Sequence, residues 1–285
     1  MSIDAPTSQP ASTPAPAAAR TGRIPRPIKI TLGLTYALAL AIAIALPHAG
    51  IAPLISIFAP LTAMAITVTW FEPKGTRRAT WAAVGWGWPG LRMLAISLAL
   101  PAAILATSFG AAGLVGIASF PSLGITGNGT AALVQTLLTG TLFIMGEEIA
   151  WRGFVYPRLS IALGQKRGAI TTGAAHAAFH LPLLLLTTSY QSAGNRLIVV
   201  PMVMVTITAA GVVYAWSRQV SGSVWPAALI HNAFNTFVDL GLAVSVAGSA
   251  AALAYVTTET GVFTMLLVLA AAGWTLTRTW DQNKK

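Results

Sequence analysis

The chain has 285 residues, of which 55% are hydrophobic and only 8% charged, with 17 Lys and Arg against 7 Asp and Glu. So large an apolar share leaves too little polar surface to cover a water-soluble fold, and it excludes one. The formal net charge of +10 does not point to nucleic acid, because the basic residues stand in short groups between apolar runs, with no basic face interleaved with aromatics. Cysteine is absent, which removes disulfides and thiolate chemistry.

In chain order, residues 1–27 are rich in Ala, Pro, Ser and Thr and end on Arg20, Arg23 and Arg26. They lack the apolar stretch of a cleaved signal peptide and are expected to form a disordered cytoplasmic tail. Residues 28–285 are expected to form a single membrane domain. From Ile30 onward, apolar stretches of about 20 residues recur, the length at which an α-helix crosses the hydrocarbon core. Spans are predicted near Ile30–Leu46, Ile51–Trp70, Leu91–Ile117, Ala131–Val155, Gly168–Thr188, Leu197–Trp216, Ser223–Gly241 and Gly261–Thr279. The period-two alternation of a barrel is missing. The fold class is therefore all-α, a polytopic membrane helix bundle of about eight transmembrane helices.

Between the spans, Glu72–Arg92 carries Lys74, Arg77, Arg78 and several tryptophans and reads as an interfacial helix or loop. Ser119–Thr130, with Pro121 and three glycines, reads as an extracytoplasmic turn region. Placing the N-terminus in the cytoplasm gathers Lys74, Arg77, Arg78, Arg92, Arg158, Lys166, Arg167, Arg218, Arg278, Lys284 and Lys285 on one side and leaves Arg196 on the other. Counting the apolar Leu242–Thr258 as a span would reverse the last three, so it is not counted. Both termini are then cytoplasmic. Short loops and the lack of an organelle-type leader suggest a bacterial inner membrane.

Three places break the apolar rule within the spans. Glu147 and Glu148 follow the apolar run Ala131–Met145, where an uncompensated ionisable group costs roughly 2.5 kcal/mol or more. Glu148 and Arg152, four apart, share a helix face and can form an ion pair, leaving Glu147 for chemistry, or the two glutamates exchange these roles. His176 and His180 repeat the interval in the fifth predicted span, and His231 and Asn235 repeat it in the seventh. Counted from Arg158, Arg167 and Arg218, the residues Glu147, His180 and His231 all lie about 16–20 Å deep. A polar chamber within the bundle, open toward the cytoplasm, accounts for this common level. His48, Asp239 and Glu259 sit near span ends, where solvation explains them.

Glu147-Glu148-x-x-x-Arg152, the histidine of Ala178-Phe179-His180-Leu181-Pro182, and Trp225-Pro226 leading to His231-x-x-x-Asn235 resemble the motifs of the CPBP family of intramembrane proteases. That family, also called Abi, includes the type II CAAX prenyl endopeptidases. The resemblance extends over roughly Ile51 to Trp280. It departs from the family pattern at one position: the second motif is usually Phe-x-x-x-His, and His176 stands in place of the Phe.

The resemblance implies peptide hydrolysis inside the membrane on a peptide or membrane-protein substrate. Glu147 would be the general base, with Glu148 held by Arg152 and orienting it; His180 would help to hold the attacking water, and His231 and Asn235 would stabilise the oxyanion. The same residues also suit a divalent metal such as zinc, held by His180, His231 and Glu147 or Glu148, with His176 a weaker candidate. Metal-activated and carboxylate-activated water both remain open at this level. Two other function classes stand beside the enzyme. A proton- or ion-coupled transporter would want polar residues in both halves of the membrane, and the outer half has few. A non-proteolytic scaffold or self-immunity protein would not need the polar set at all.

Overall fold

The computed structural model describes residues 22–121, 127–188, 193–278 and 280. Most of the predicted tail, Arg20, Lys284 and Lys285 lie outside them. Among the described residues, seven helices are long and apolar enough to cross a membrane, joined by a shorter apolar helix. The chain is thus an all-α integral membrane bundle.

Helix α1 (Arg26–Ala45) begins at an extended Pro25, with Pro27 in its first turn, where a missing N–H costs nothing. The second crossing is assembled from α2 (Ala52–Ser56), α3 (Ala59–Ile66) and a π-helical turn at Thr67–Phe71. The expected interfacial stretch holds a short α4 (Arg77–Ala82) and then irregular chain up to α5 (Leu91–Leu114). Trp70, just before that stretch, and Trp88 within it are 70% and 72% exposed, as interfacial tryptophans are.

Helix α6 (Gly127–Glu148) starts inside the segment expected as a turn, and residues 122–126 of that segment are outside the described set. It runs without a break into a π-helix at Ile149–Val155 and then α7 (Tyr156–Leu163), so the fourth predicted span continues eight residues beyond Val155. Helices α8 (Gln165–Leu186), α9 (Arg196–Ser221) and α10 (Trp225–Val244) follow. Asn195 caps α9 by accepting from Leu197 N at 2.9 Å, and Gly222, at φ 70°, ends it.

Leu242–Thr258 does not cross. Val246–Ala247 (β2) pairs antiparallel with Ala118–Ser119 (β1), and a seven-residue α11 (Ala250–Val256) turns back into the bundle ahead of α12 (Val262–Thr277). Ser108 Oγ stands 2.8 Å from Thr264 Oγ1 and donates to Val256 O at 3.5 Å. Ser108 lies six residues before the end of α5, which puts this contact about 9 Å below that helix end. The segment therefore dips into the bundle from the α5 C-terminal side.

The two ends of the bundle differ as the charge count predicts. At one end Arg158 pairs with Glu72 at 2.8 Å, and Arg218 donates to Ala83 O at 3.0 Å. At the other, Arg196 caps α8 by donating to Leu185 O and Thr187 O, both at 2.7 Å. Helices α8 and α9 approach closely because both carry glycine where they cross: a Cβ on Gly211 would lie 2.6 Å from Gly173 Cα. This crossing brings the fourth, fifth, sixth and seventh spans around one polar centre.

Candidate active site

The π-helix follows directly on the two glutamates. Its wider turn sets Trp151 and Arg152 side by side against α8, and such turns recur at functional sites. Arg152 Nη1 donates to Glu148 Oε1 at 2.8 Å, with both side chains fully buried, so the pair expected from the four-residue spacing is formed. His231 Nδ1, from α10, meets the same oxygen at 2.9 Å. Arg152 Nη1 also reaches His176 Nδ1 at 3.1 Å, and His176 Nε2 lies 2.6 Å from Glu147 Oε2. His180 Nε2 lies 3.4 Å from His176 Nε2. Glutamates from α6, an arginine from the π-turn and histidines from α8 and α10 therefore form one connected network.

Aromatic rings hold the network from its sides. Trp151 stacks on His176 at 5.1 Å between centroids, and Tyr214 of α9 stacks on His231 at 5.3 Å. The Arg152 guanidinium lies 4.8 Å over the Tyr214 ring, a cation–π contact in a dry site. Gly211 makes room for that guanidinium, since a Cβ there would stand 3.0 Å from Nη2.

A cavity of about 190 Å³ adjoins the network, lined among others by Glu147, His180, Tyr214, His231, Asn235 and Glu259. Its deep wall is closed: Glu147, His176 and His180 are 3%, 1% and 7% exposed. Outward, Asn235 is exposed and Pro53 and Glu259 are half-buried. Pro53 and Glu259 belong to the end of the bundle that carries Arg196, so the cavity extends away from the arginine-rich end. This overturns the expected opening. Depth counted from the arginines fixed the level of the polar groups, but which side of that level stays unfilled depends on the folded-back segment before α12.

Glu259 was expected to be solvated at a span end, and it lines the cavity instead. It is carried there by Thr258 in a left-handed conformation at φ 56°, costly for a β-branched residue and held by Thr258–Thr260 and Thr260–Ala254 hydrogen bonds at 3.0 and 2.8 Å. Asp239 is exposed, and His48 lies in an exposed turn 3.2 Å from Thr188 Oγ1.

The remaining motif residues divide by contact. Asn235 has no hydrogen-bond partner among the described residues and faces the cavity. Its neighbour Asn232, which the motif does not include, is buried and donates to Thr136 O and Leu137 O at 3.2 and 3.1 Å, tying α10 to α6 where Gly140 admits it. Glu148 Oε2 and the Arg152 Nε and Nη2 groups have no hydrogen-bond partner among the described residues. Trp151 and Tyr214 escaped the motif reading, although a tyrosine in an apolar span needs a partner for its polar tip and so gave a usable signal.

Ligand atoms of Glu147, His176 and His180 lie within 4.8 Å of one another, a buried group that by spacing could hold a metal ion. This grouping differs from the expected set, which paired His180 with His231 and treated His176 as subordinate. His231 instead turns its Nδ1 to Glu148.

None of the curated proteins matches the chain. Residues 129–237 match the family model described as Type II CAAX prenyl endopeptidase Rce1-like. The matched stretch runs from the glutamate helix through the histidines of α8 to His231 and Asn235, and over it the chain is similar to that family, in keeping with the resemblance to CPBP proteases.

Proposed function

We propose that the chain is an intramembrane endopeptidase that hydrolyses a peptide bond of a membrane-associated substrate with water activated by Glu147. The supporting observation is the state of that carboxylate. Oε2 is engaged by His176 at 2.6 Å, and the side chain borders the cavity together with His180. A water in the cavity, held between Glu147 and His180, gives a proton to Glu147 as its oxygen bonds to the scissile carbonyl carbon. Glu147 returns the proton to the leaving amine nitrogen as the C–N bond breaks.

The oxyanion formed between these steps meets donors from α10. Asn235 offers its side-chain amide. His231, held to Glu148 through Nδ1, lines the cavity beside it. No step is assigned to a metal, because both ring nitrogens of His176 are engaged, by Arg152 and by Glu147.

The substrate reaches the cavity from the end that carries Pro53 and Glu259 or through the bilayer. We place the arginine-rich end and both termini in the cytoplasm of a bacterial cell, with residues 28–285 as the protease domain and the preceding residues as its tail. The test compares the peptides released in membranes holding the intact protein with those in membranes holding Glu147→Ala. Fragments unique to the intact protein are expected, and identical fragment sets would refute the reading.

A further inference from the structure

Resting on the reading of Glu147 as the base, we infer that His176 is a positioning residue for Glu147, locked by Arg152 as an Nε2–H donor and thereby removed from any metal-ligand set.

The inference follows from which atoms can donate. A guanidinium carries only donors and keeps its charge in proteins. At 3.1 Å from Arg152 Nη1, His176 Nδ1 must therefore present its lone pair. A neutral imidazole has one N–H, which then sits on Nε2 and points at Glu147 Oε2, 2.6 Å away. Using Nε2 as a metal ligand would require its lone pair, moving the proton to Nδ1 and setting it against the Arg152 N–H. Neither group can turn to water, since Arg152 and His176 are 0% and 1% exposed. Protonating both nitrogens leaves no lone pair for a metal either.

The remaining freedom of the ring is removed by its neighbour on the π-turn: Trp151 stacks on it at 5.1 Å and 30°, so one turn of chain fixes both the plane and the tautomer of His176. Without His176 the close group shrinks to Glu147 and His180, one short of the three protein ligands usual for a catalytic zinc. With Oε2 of Glu147 tied down, its Oε1 is left to meet the water.

The test uses full-length protein in lipid nanodiscs with isotope-labelled histidine, read by nitrogen NMR before and after adding zinc ion alone. The His176 signals, assigned by their loss in His176→Gln, are expected to show a protonated Nε2 and an unprotonated Nδ1, unchanged by zinc. An Nδ1–H tautomer, or loss of the Nε2 proton on adding zinc, would overturn the inference. Kinetics give an independent arm. His176→Phe keeps a ring for Trp151 and removes both nitrogens, and should lower kcat roughly 10–100-fold with KM unchanged. His176→Gln, whose amide N–H can stand near the imidazole Nε2–H, should recover most of that loss. Full kcat in His176→Phe would refute the positioning role. If the wild-type protein cleaves nothing, the endopeptidase reading falls and the tautomer alone decides the inference.

Discussion

Two arginines six residues apart on one continuous helix make opposite kinds of contact. Arg158, partly exposed at the arginine-rich end, donates to Glu72 Oε1 at 2.8 Å and Thr80 Oγ1 at 3.1 Å and lies over the Phe154 ring at 3.8 Å. Thr80 donates to the other Glu72 oxygen at 2.6 Å, so that carboxylate is matched at both oxygens. Arg152 is fully buried, yet two of its nitrogens and one oxygen of its partner Glu148 have no partner among the described residues. Buried polar groups normally find partners, because leaving one unmade costs about 1–3 kcal/mol. The matched cluster pins the loop before α4 to the helix. The under-matched cluster, bordering a cavity, holds capacity for a substrate and a water.

The largest way to break this comparison is Glu147→Ala. Cleavage should fall by roughly 10²–10⁴-fold, while unfolding experiments show a loss of only about 1–3 kcal/mol, from the His176 N–H left without its acceptor. Arg152→Ala should cost about 3–5 kcal/mol in unfolding experiments, since it leaves Glu148 buried and uncompensated. Arg158→Ala removes a partly exposed side chain and leaves Glu72 its hydrogen bond from Thr80, so it should cost only about 1 kcal/mol and keep cleavage. Equal losses from the two arginine substitutions would erase the distinction.

The neighbouring asparagines sharpen it further. Asn235→Ala should lower kcat roughly 10²–10³-fold with little change in stability. Asn232→Ala should cost about 1–3 kcal/mol of stability, because it leaves α6 carbonyls unsatisfied, and kcat should change much less. Gly211→Ala is expected to destabilise by about 1–3 kcal/mol through the added methyl between Gly173 and Arg152. Gly75→Ala, where nothing lies within 4 Å, should be neutral on the same melting assay.

Much of the fold was legible because hydrocarbon thickness sets helix length, and arginine bias sorts the helix ends. The Glu148–Arg152 pair was legible too, since four residues bring side chains to one helix face. The π-turn after it was not, because a change of helical period over seven residues leaves no mark in a uniformly apolar run. His176 was weighed as a departure from a motif, and its importance depends on Arg152 having a second nitrogen contact that no spacing reveals. Glu259 was misread for a similar reason: its position depends on one left-handed threonine and on contacts across 156 residues between Ser108 and Thr264.

The π-turn also makes the residue count of this helix a fixed quantity. If the same residues closed into ordinary α-turns, the extra one would rotate all that follows by about 100° relative to the glutamates. Arg158 would swing away from Glu72 while Glu147 and Glu148 stayed in place, or the glutamates would turn off the histidines while Arg158 held. The clamp at one end of the bundle and the polar centre inside it are thus gauged against each other by a single extra residue, and a change of length here would be felt where no side chain had been altered.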